Sequence, residues 1–184
     1  RNGVPPAYVS YERGLGQGKY DRSHIKALVN SNTRIAGLVV DTIDQLSHHT
    51  IQGQLGMHAA IDVWLRQGYL PSLLKDMMDA GFDVYLTTDH GNKESVGIGR
   101  TKDGTLPETR GERVRVYRDV VLRDQAAVQY PSKRWPNTGL PDDYHVLIAR
   151  PGEAFVREGE IVVSHGGASV EEVIVPFVHI TKKR

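Results

Sequence analysis

The chain of 184 residues contains no cysteine, which excludes disulfide bonds and thiolate zinc sites. Histidine, aspartate and glutamate are therefore the candidate metal ligands, and the chain has eight histidines. No stretch approaches the roughly 20 consecutive apolar residues that a membrane-spanning helix needs, so we expect no membrane partner. The formal net charge is only +1, so the chain as a whole lacks the basic character of a nucleic-acid-binding protein.

The sequence also lacks an initiator methionine, since it begins at Arg1 and its first methionine is Met57. We therefore expect it to be a piece of a longer protein. Its length suffices for one domain with a sizeable core. We predict a single α/β domain over residues 1–184, in which residues 1–33 form a lead-in that the sequence patterns assign poorly.

Apolar runs in the middle of the chain predict two buried strands, at residues 34–40 and 82–87. Between them, residues 58–80 have helical spacing, and Gly68 and Pro71 are expected to break this helix into two pieces. A strand, a helix and a strand in this order predict a βαβ unit with parallel pairing. We therefore predict a mostly parallel sheet flanked by helices, with polar residues delivered at one edge.

Later segments predict further elements. Strands are expected at 113–117, 144–149 and 173–180, the last interrupted by Pro176, and a helix at 118–129. Residues 154–164 are expected to contain strand residues with a turn near Gly159. Residues 92–112 lack apolar periodicity and are predicted to form a long surface loop, and residues 130–143 contain three prolines and are predicted to be irregular.

Good metal ligands follow three of the predicted strands. The three groups are Asp44-x-x-x-His48, Asp89-His90-Gly91 and His165-Gly166-Gly167. A spacing of four places two side chains on one face of a helical turn, and Gly91 is expected to give the backbone freedom to turn both Asp89 and His90 toward one ion. Each group alone is also compatible with a carboxylate that caps a turn beside a surface histidine. Their joint placement at strand ends favours a shared metal site.

Three further residues near these groups are candidates for supporting the ligands. Glu171 and Glu172 are predicted either to orient His165 or to lie on a plain surface helix turn. His49 is predicted to lie at the surface or to support the first group.

Arginines crowd around the predicted strand at 113–117. We expect them to form a solvated face paired with nearby carboxylates, and the alternative is an exposed basic strand that follows the phosphates of a nucleic acid. The arginines are Arg110, Arg113, Arg115, Arg118 and Arg123, and the carboxylates are Glu112, Asp119 and Asp124.

Together the three ligand groups resemble the metal-ligand series of the alkaline phosphatase superfamily. The stretch SHGGASVEEVIVPFV at residues 164–178 closely resembles the PglZ-type domain of that superfamily. The stretches VVDTIDQLSHH at 39–49 and YLTTDHGN at 85–92 are similar to the same group. The resemblance runs from about residue 34 to the C-terminus, with a gap across 92–143. It implies an alkaline phosphatase-like core that lacks its N-terminal strand or strands in this chain.

This resemblance implies up to two divalent metals, zinc in most of the superfamily with manganese as an alternative. Asp44, His48 and His165 would bind one metal, and Asp89 and His90 would bind a second about 3.5–4 Å away. The superfamily also uses an upstream aspartate ligand and a threonine or serine nucleophile. We find no equivalent of either in this chain.

The function implied by the resemblance is that of a cytoplasmic, metal-dependent phosphoester or phosphodiester hydrolase domain. It would belong to a bacterial phage-defence protein of a BREX-like system and work beside a DNA methyltransferase and other defence proteins. The missing nucleophile leaves a second hypothesis open, in which the domain is a catalytically inactive scaffold or binding module for defence partners or for DNA.

Overall fold

The computed structural model describes residues 8–26, 28–29, 32–48, 52–101 and 111–182. Within these ranges no helix is both long and apolar enough to cross a membrane. The elements, in chain order, are β1 (Val9–Leu15), a 3-10 helix (Arg22–Ile25), β2 (Ile35–Val40), α1 (Thr42–His48), α2 (Gly53–Arg66), α3 (Tyr69–Asp79), β3 (Val84–Thr87), β4 (Lys93–Gly97), β5 (Val114–Tyr117), α4 (Val120–Gln129), β6 (Ser132–Arg134), β7 (His145–Ala149), β8 (Glu153–Ala154), β9 (Ile161–Ser164), α5 (Val170–Val173) and β10 (Phe177–Ile180).

The chain divides into two units that interleave along the sequence. Unit 1 comprises Arg1–Leu46, His58–Thr87 and Phe177–Arg184, and unit 2 comprises Ser47–Met57 and Thr88–Pro176, each within the described ranges. The two units are described separately below.

Strand pairing in unit 1 differs from the prediction. β1 pairs with β2 in parallel, and β3 pairs with β10 in antiparallel orientation. The predicted βαβ unit with β2 and β3 paired in parallel is therefore wrong. The local pattern identified both strands correctly, but the C-terminal strand β10 occupies a position beside β3 that only long-range pairing could reveal.

Unit 2 contains two three-stranded sheets among its described residues, in the orders β8-β4-β9 and β5-β7-β6. Only the short β4–β8 pair is parallel, whereas β4–β9, β5–β7 and β6–β7 are antiparallel. The α/β class is confirmed, but the prediction of a mostly parallel sheet is wrong. β4 lies inside the segment that was predicted to be a loop. The prediction missed this strand because its sequence, KESVG, has no apolar alternation.

The core of unit 1 forms around α3, whose buried residues Tyr69, Leu73 and Met77 are spaced by four along one face. Trp64 of α2 joins the same core, and its ring stacks on Tyr69 with centroids 6.3 Å apart. Gly68 separates α2 from α3 with a φ of 79°, as the sequence predicts. Pro71 does not break the helix, because it lies in the first turn of α3, where no backbone donor is lost.

The burial of two arginines, one directly before β5 and one on it, overturns the prediction of a solvated arginine face. Arg113 and Arg115 are both buried, so neither belongs to a solvated face. The strand alternates as expected, but Arg115 and Tyr117 occupy the buried positions while the valines between them are only half-buried. The guanidinium of Arg115 is satisfied by backbone carbonyl oxygens, including that of Phe155 at 2.6 Å.

Arg118 does lie at the surface of unit 2, whereas the side chain of Arg123 is only 14% exposed. Arg118 forms an exposed ion pair with Asp143, and Nε of Arg123 lies 2.7 Å from Oδ1 of Asp124. Arg110 lies outside the described residues.

Candidate metal site

Two of the predicted ligands lie side by side in unit 2. His90 is half-buried in the segment after β3, and His165 is buried directly after β9. Their imidazole rings stack with centroids 3.7 Å apart and planes inclined by 15°. The family resemblance implied different metals for these two histidines, and the structure brings their rings into contact.

The loop that carries His90 is held by its own polar groups. Oγ1 of Thr88 donates to the carbonyl oxygen of His90 at 3.0 Å, and the backbone N–H of His90 donates to Oδ1 of Asp89 at 3.1 Å. Nδ1 of His90 lies 3.1 Å from the carbonyl oxygen of Gly91. Since a carbonyl oxygen only accepts, Nδ1 carries a proton, and this leaves Nε2 as the nitrogen through which the neutral ring would bind a metal.

The spacing of donors in this loop fits a divalent metal. Nε2 of His90 lies 3.7 Å from Oδ1 of Asp89, and the Asp89 side chain is 87% exposed. Two ligand atoms at about 2.0–2.1 Å from one tetrahedral zinc are about 3.3–3.5 Å apart. The imidazole and the carboxylate are therefore within a small adjustment of sharing one ion.

Gly91 is needed at this loop for a different reason from the one the sequence suggests. Its backbone N–H donates to the carbonyl oxygen of Glu172 at 2.9 Å. A Cβ at position 91 would lie 1.9 Å from the carbonyl oxygen of Glu171, which no real contact allows. The close approach of two backbones, rather than an unusual turn conformation, requires glycine here.

Glu172 of α5 is buried, so it does not lie on a surface turn. Its Oε1 accepts from Nε of Arg113 at 2.7 Å and from the backbone N–H of Gly167 at 2.8 Å, and its Oε2 accepts from the N–H of Ser169 at 3.1 Å. Burial raises the pKa of Glu172, but hydrogen bonds from Arg113, Gly167 and Ser169 together hold the pKa below its usual value. The carboxylate is therefore charged and organises the loop that follows His165.

Arg113 is the residue of this region that sequence reasoning missed. Its side chain is 1% exposed and pairs with Glu172, while its backbone N–H donates to the carbonyl oxygen of His165 at 3.3 Å. One guanidinium nitrogen also donates to Oγ of Ser95 at 2.8 Å and to the carbonyl oxygen of Glu153 at 2.6 Å. The available signal was the two-residue alternation of Arg113, Arg115 and Tyr117, which places all three on one face of the chain.

Glu171, the second predicted supporting carboxylate, is exposed and forms an ion pair with Lys93. The hydrogen bond from Lys93 lowers the pKa of Glu171 to about 2, with smaller contributions from the backbone and Ser169. Its carboxylate is thus engaged by Lys93 at the surface.

The remaining predicted ligands lie on or after α1. Asp44 is exposed in the first turn of this helix and belongs to unit 1. His48 is the last residue of α1, which confirms that the two lie four residues apart on a helix, but its side chain lies outside what the structure describes. His49 also lies outside the described residues. The ligand roles of Asp44 and His48 stay predictions from the sequence.

Comparison with protein families gives a match over nearly the whole chain. Residues 2–180 match the family model described as the BREX system PglZ alkaline phosphatase-like domain. The match includes residues 92–143, where the resemblance in sequence had a gap, and nearly all of the lead-in that the sequence patterns assigned poorly. Comparison with curated proteins finds no match.

Proposed function

Since the chain belongs to the PglZ family of BREX-system alkaline phosphatase-like domains, we propose that it binds a divalent metal and hydrolyses a phosphoester or phosphodiester. Membership of the family makes it a hydrolase-like domain of a BREX-type defence system. The dependence on metal, the bond that is cleaved and the substrate are the proposed part.

The contact between the imidazoles of His90 and His165 is the observation that carries this proposal. Two histidines from distant parts of the sequence lie with their rings 3.7 Å apart, and the carbonyl oxygen of Gly91 fixes the proton of His90 on Nδ1. Such an arrangement leaves Nε2 of His90 and the carboxylate of Asp89 as donors of the kinds that zinc and manganese accept. We propose zinc at this site, with Asp44 and His48 as further ligands predicted from the sequence.

The chemistry follows from the donors and their surroundings. A bound divalent metal supplies a Lewis acid for phosphoryl oxygens and lowers the pKa of a coordinated water. His165 is buried, whereas the carboxylate of Asp89 is exposed, so a substrate reaches these groups from the side of Asp89. The residue that attacks phosphorus is not identified within this chain.

The partners follow from the family at a coarse level. BREX membership implies partners from the same defence system. We propose a DNA methyltransferase among these partners and the cytoplasm as the compartment, both on the basis of the sequence resemblance.

Metal binding and phosphodiester hydrolysis by the same variants test the proposal. Zinc affinity is measured by competition with a chromophoric chelator, and activity with bis-p-nitrophenyl phosphate. We expect His90→Ala and His165→Ala each to weaken zinc binding at least about tenfold and to lower hydrolysis by a similar or larger factor. His58→Ala is the matched control, because His58 is exposed on α2 and takes no part in the site.

The outcomes separate two functions. The inactive scaffold would be supported if the chain binds zinc without hydrolysing the substrate and if the BREX system with His90→Ala still protects cells against phage. A wild-type chain that binds neither zinc nor manganese would refute the metal site itself.

A further inference from the structure

We propose that Arg113 and Glu172 are positioning residues, which hold the loops of His90 and His165 in register and thereby set the metal affinity of the site. This inference rests on the proposed function, because it assumes that the two histidines bind metal. It goes further by assigning a role to a buried ion pair that contacts both the His90 loop and the His165 loop.

Glu172 reaches both histidine loops at once. Its backbone carbonyl accepts from the N–H of Gly91, the residue directly after His90, at 2.9 Å. Its carboxylate accepts from the N–H groups of Gly167 and Ser169, two and four residues after His165, at 2.8 and 3.1 Å. A single residue therefore fixes the backbone next to each of the stacked rings.

Arg113, which directly precedes β5, also contacts both Glu172 and the His165 loop. Its Nε donates to Glu172 at 2.7 Å, and its backbone N–H donates to the carbonyl oxygen of His165 at 3.3 Å. The hydrogen bond to Ser95 anchors the same guanidinium to β4, which pairs with β9, and β9 leads directly into His165. Movement of Arg113 would therefore be transmitted to the His165 loop by both its main chain and its side chain.

The loop of His165 packs closely on the ion pair at Gly167. A Cβ at Gly167 would lie 2.5 Å from Oε2 of Glu172 and 2.7 Å from a terminal guanidinium nitrogen of Arg113. A side chain at Gly167, the last residue of the histidine motif, would therefore displace the Arg113–Glu172 pair. Replacing the charged groups changes the surface on which this loop rests.

A purely stabilising role is the competing explanation. Buried ion pairs are often replaced by well-packed apolar residues with little loss of stability, so stability alone does not account for this pair. The N–H groups of Gly167 and Ser169, however, need an acceptor at position 172, which an apolar side chain does not supply. Stability and metal affinity should therefore respond differently to apolar replacement.

Glu172→Gln is the first test, with zinc affinity of the whole chain measured by chelator competition. An amide has one acceptor oxygen in place of two, and its NH2 group would face a donor from the loop or from Arg113. We expect zinc to bind about 10–100-fold more weakly, the usual effect of removing a partner that orients a ligand. Glu160→Gln is the control, because it makes the same change at an exposed carboxylate of unit 2 and should leave zinc affinity unchanged.

The double variant Arg113→Met with Glu172→Met separates positioning from stability and serves if Glu172→Gln fails to fold. We expect urea denaturation to show stability recovered relative to Arg113→Met alone, while zinc affinity stays about 10-fold or more below that of the wild type. Wild-type zinc affinity in a folded Glu172→Gln chain or in the double variant would overturn this inference alone. A wild-type chain that binds no zinc would overturn the proposed function, and the positioning role with it.

Discussion

Among the described residues, unit 1 buries apolar side chains and two threonines but no charged group, whereas unit 2 buries two guanidinium groups and a carboxylate. Trp64, Tyr69 and Leu73 represent the core of unit 1. Within the described residues, the buried arginines and the buried glutamate all belong to unit 2: Arg113, Arg115 and Glu172. Unit 2 also has an apolar cluster that includes Tyr117, Leu147 and Phe155.

The two cores differ in how strictly they fix the positions of their side chains. Apolar burial is non-directional, so a core such as that of unit 1 tolerates small shifts if its volume is kept. A buried charge must meet particular donors or acceptors, so the core of unit 2 fixes directions as well as volume. The loops of His90 and His165 are attached to the directional core, which suits side chains that must aim at an ion.

The largest expected effect is that of breaking the ion pair of unit 2. Arg113→Met leaves Glu172 buried without its cation, and we expect the free energy of unfolding to fall by about 3–5 kcal/mol in urea denaturation. Arg100→Met is the control, because its side chain is 70% exposed and lies 4.0 Å from Glu160, so the change should stay within about 0.5 kcal/mol. If Arg113→Met lowered the free energy of unfolding by less than about 1 kcal/mol, the polar core of unit 2 could not be said to depend on this ion pair.

The apolar core of unit 1 is tested by deleting one of its side chains. Leu73 is buried on α3, and Leu73→Ala should lower the free energy of unfolding by about 2–4 kcal/mol through lost burial and a residual cavity. Leu55→Ala makes the same change at a residue that is 85% exposed, and we expect a change within about 0.5 kcal/mol. Equal losses at the two leucines would contradict the assignment of the core.

Acid should act on the polar core through Glu172. The folded-state pKa of Glu172 is lowered, so its contribution to stability is present above the ordinary glutamate pKa of about 4.3 and is lost as the pH falls through the folded pKa. Comparing the free energy of unfolding of wild type and Glu172→Gln below pH 4.3, we expect the wild type to have the steeper slope, by at most about 1.4 kcal/mol per pH unit. Parallel slopes would show that Glu172 binds its proton equally in the folded and unfolded chain.

The same contrast explains how much the sequence could predict. The helical spacing of residues such as Leu73 and Met77 and the apolar runs of β2 and β3 depend on local patterns, and the structure confirms these elements. The pairing of β3 with β10 depends on competition between distant segments, which a local pattern does not contain.

The site was predicted to a similar, partial extent. His90 and His165 could be selected because each follows a strand and precedes glycine, and the structure brings their rings together. Arg113 was missed, because arginine is rarely buried and the alternation of the strand does not show which face is buried; its burial depends on a carboxylate far along the chain at Glu172. β4 was missed for a related reason, since its buried positions hold Ser95 and Gly97 rather than apolar side chains.

The smallest expected effect concerns a polar contact at the margin of the apolar core. The hydroxyl of Tyr20 donates to Oδ2 of Asp76 at 2.8 Å, and its ring packs edge-on against Tyr69. Tyr20→Phe keeps the ring and removes only the hydrogen bond, so we expect the free energy of unfolding to fall by about 1 kcal/mol. Tyr11→Phe provides the control, because that ring is 62% exposed on β1. A loss as large as that of Arg113→Met would mean that unit 1 also depends on directional contacts, and the contrast between the two cores would no longer hold.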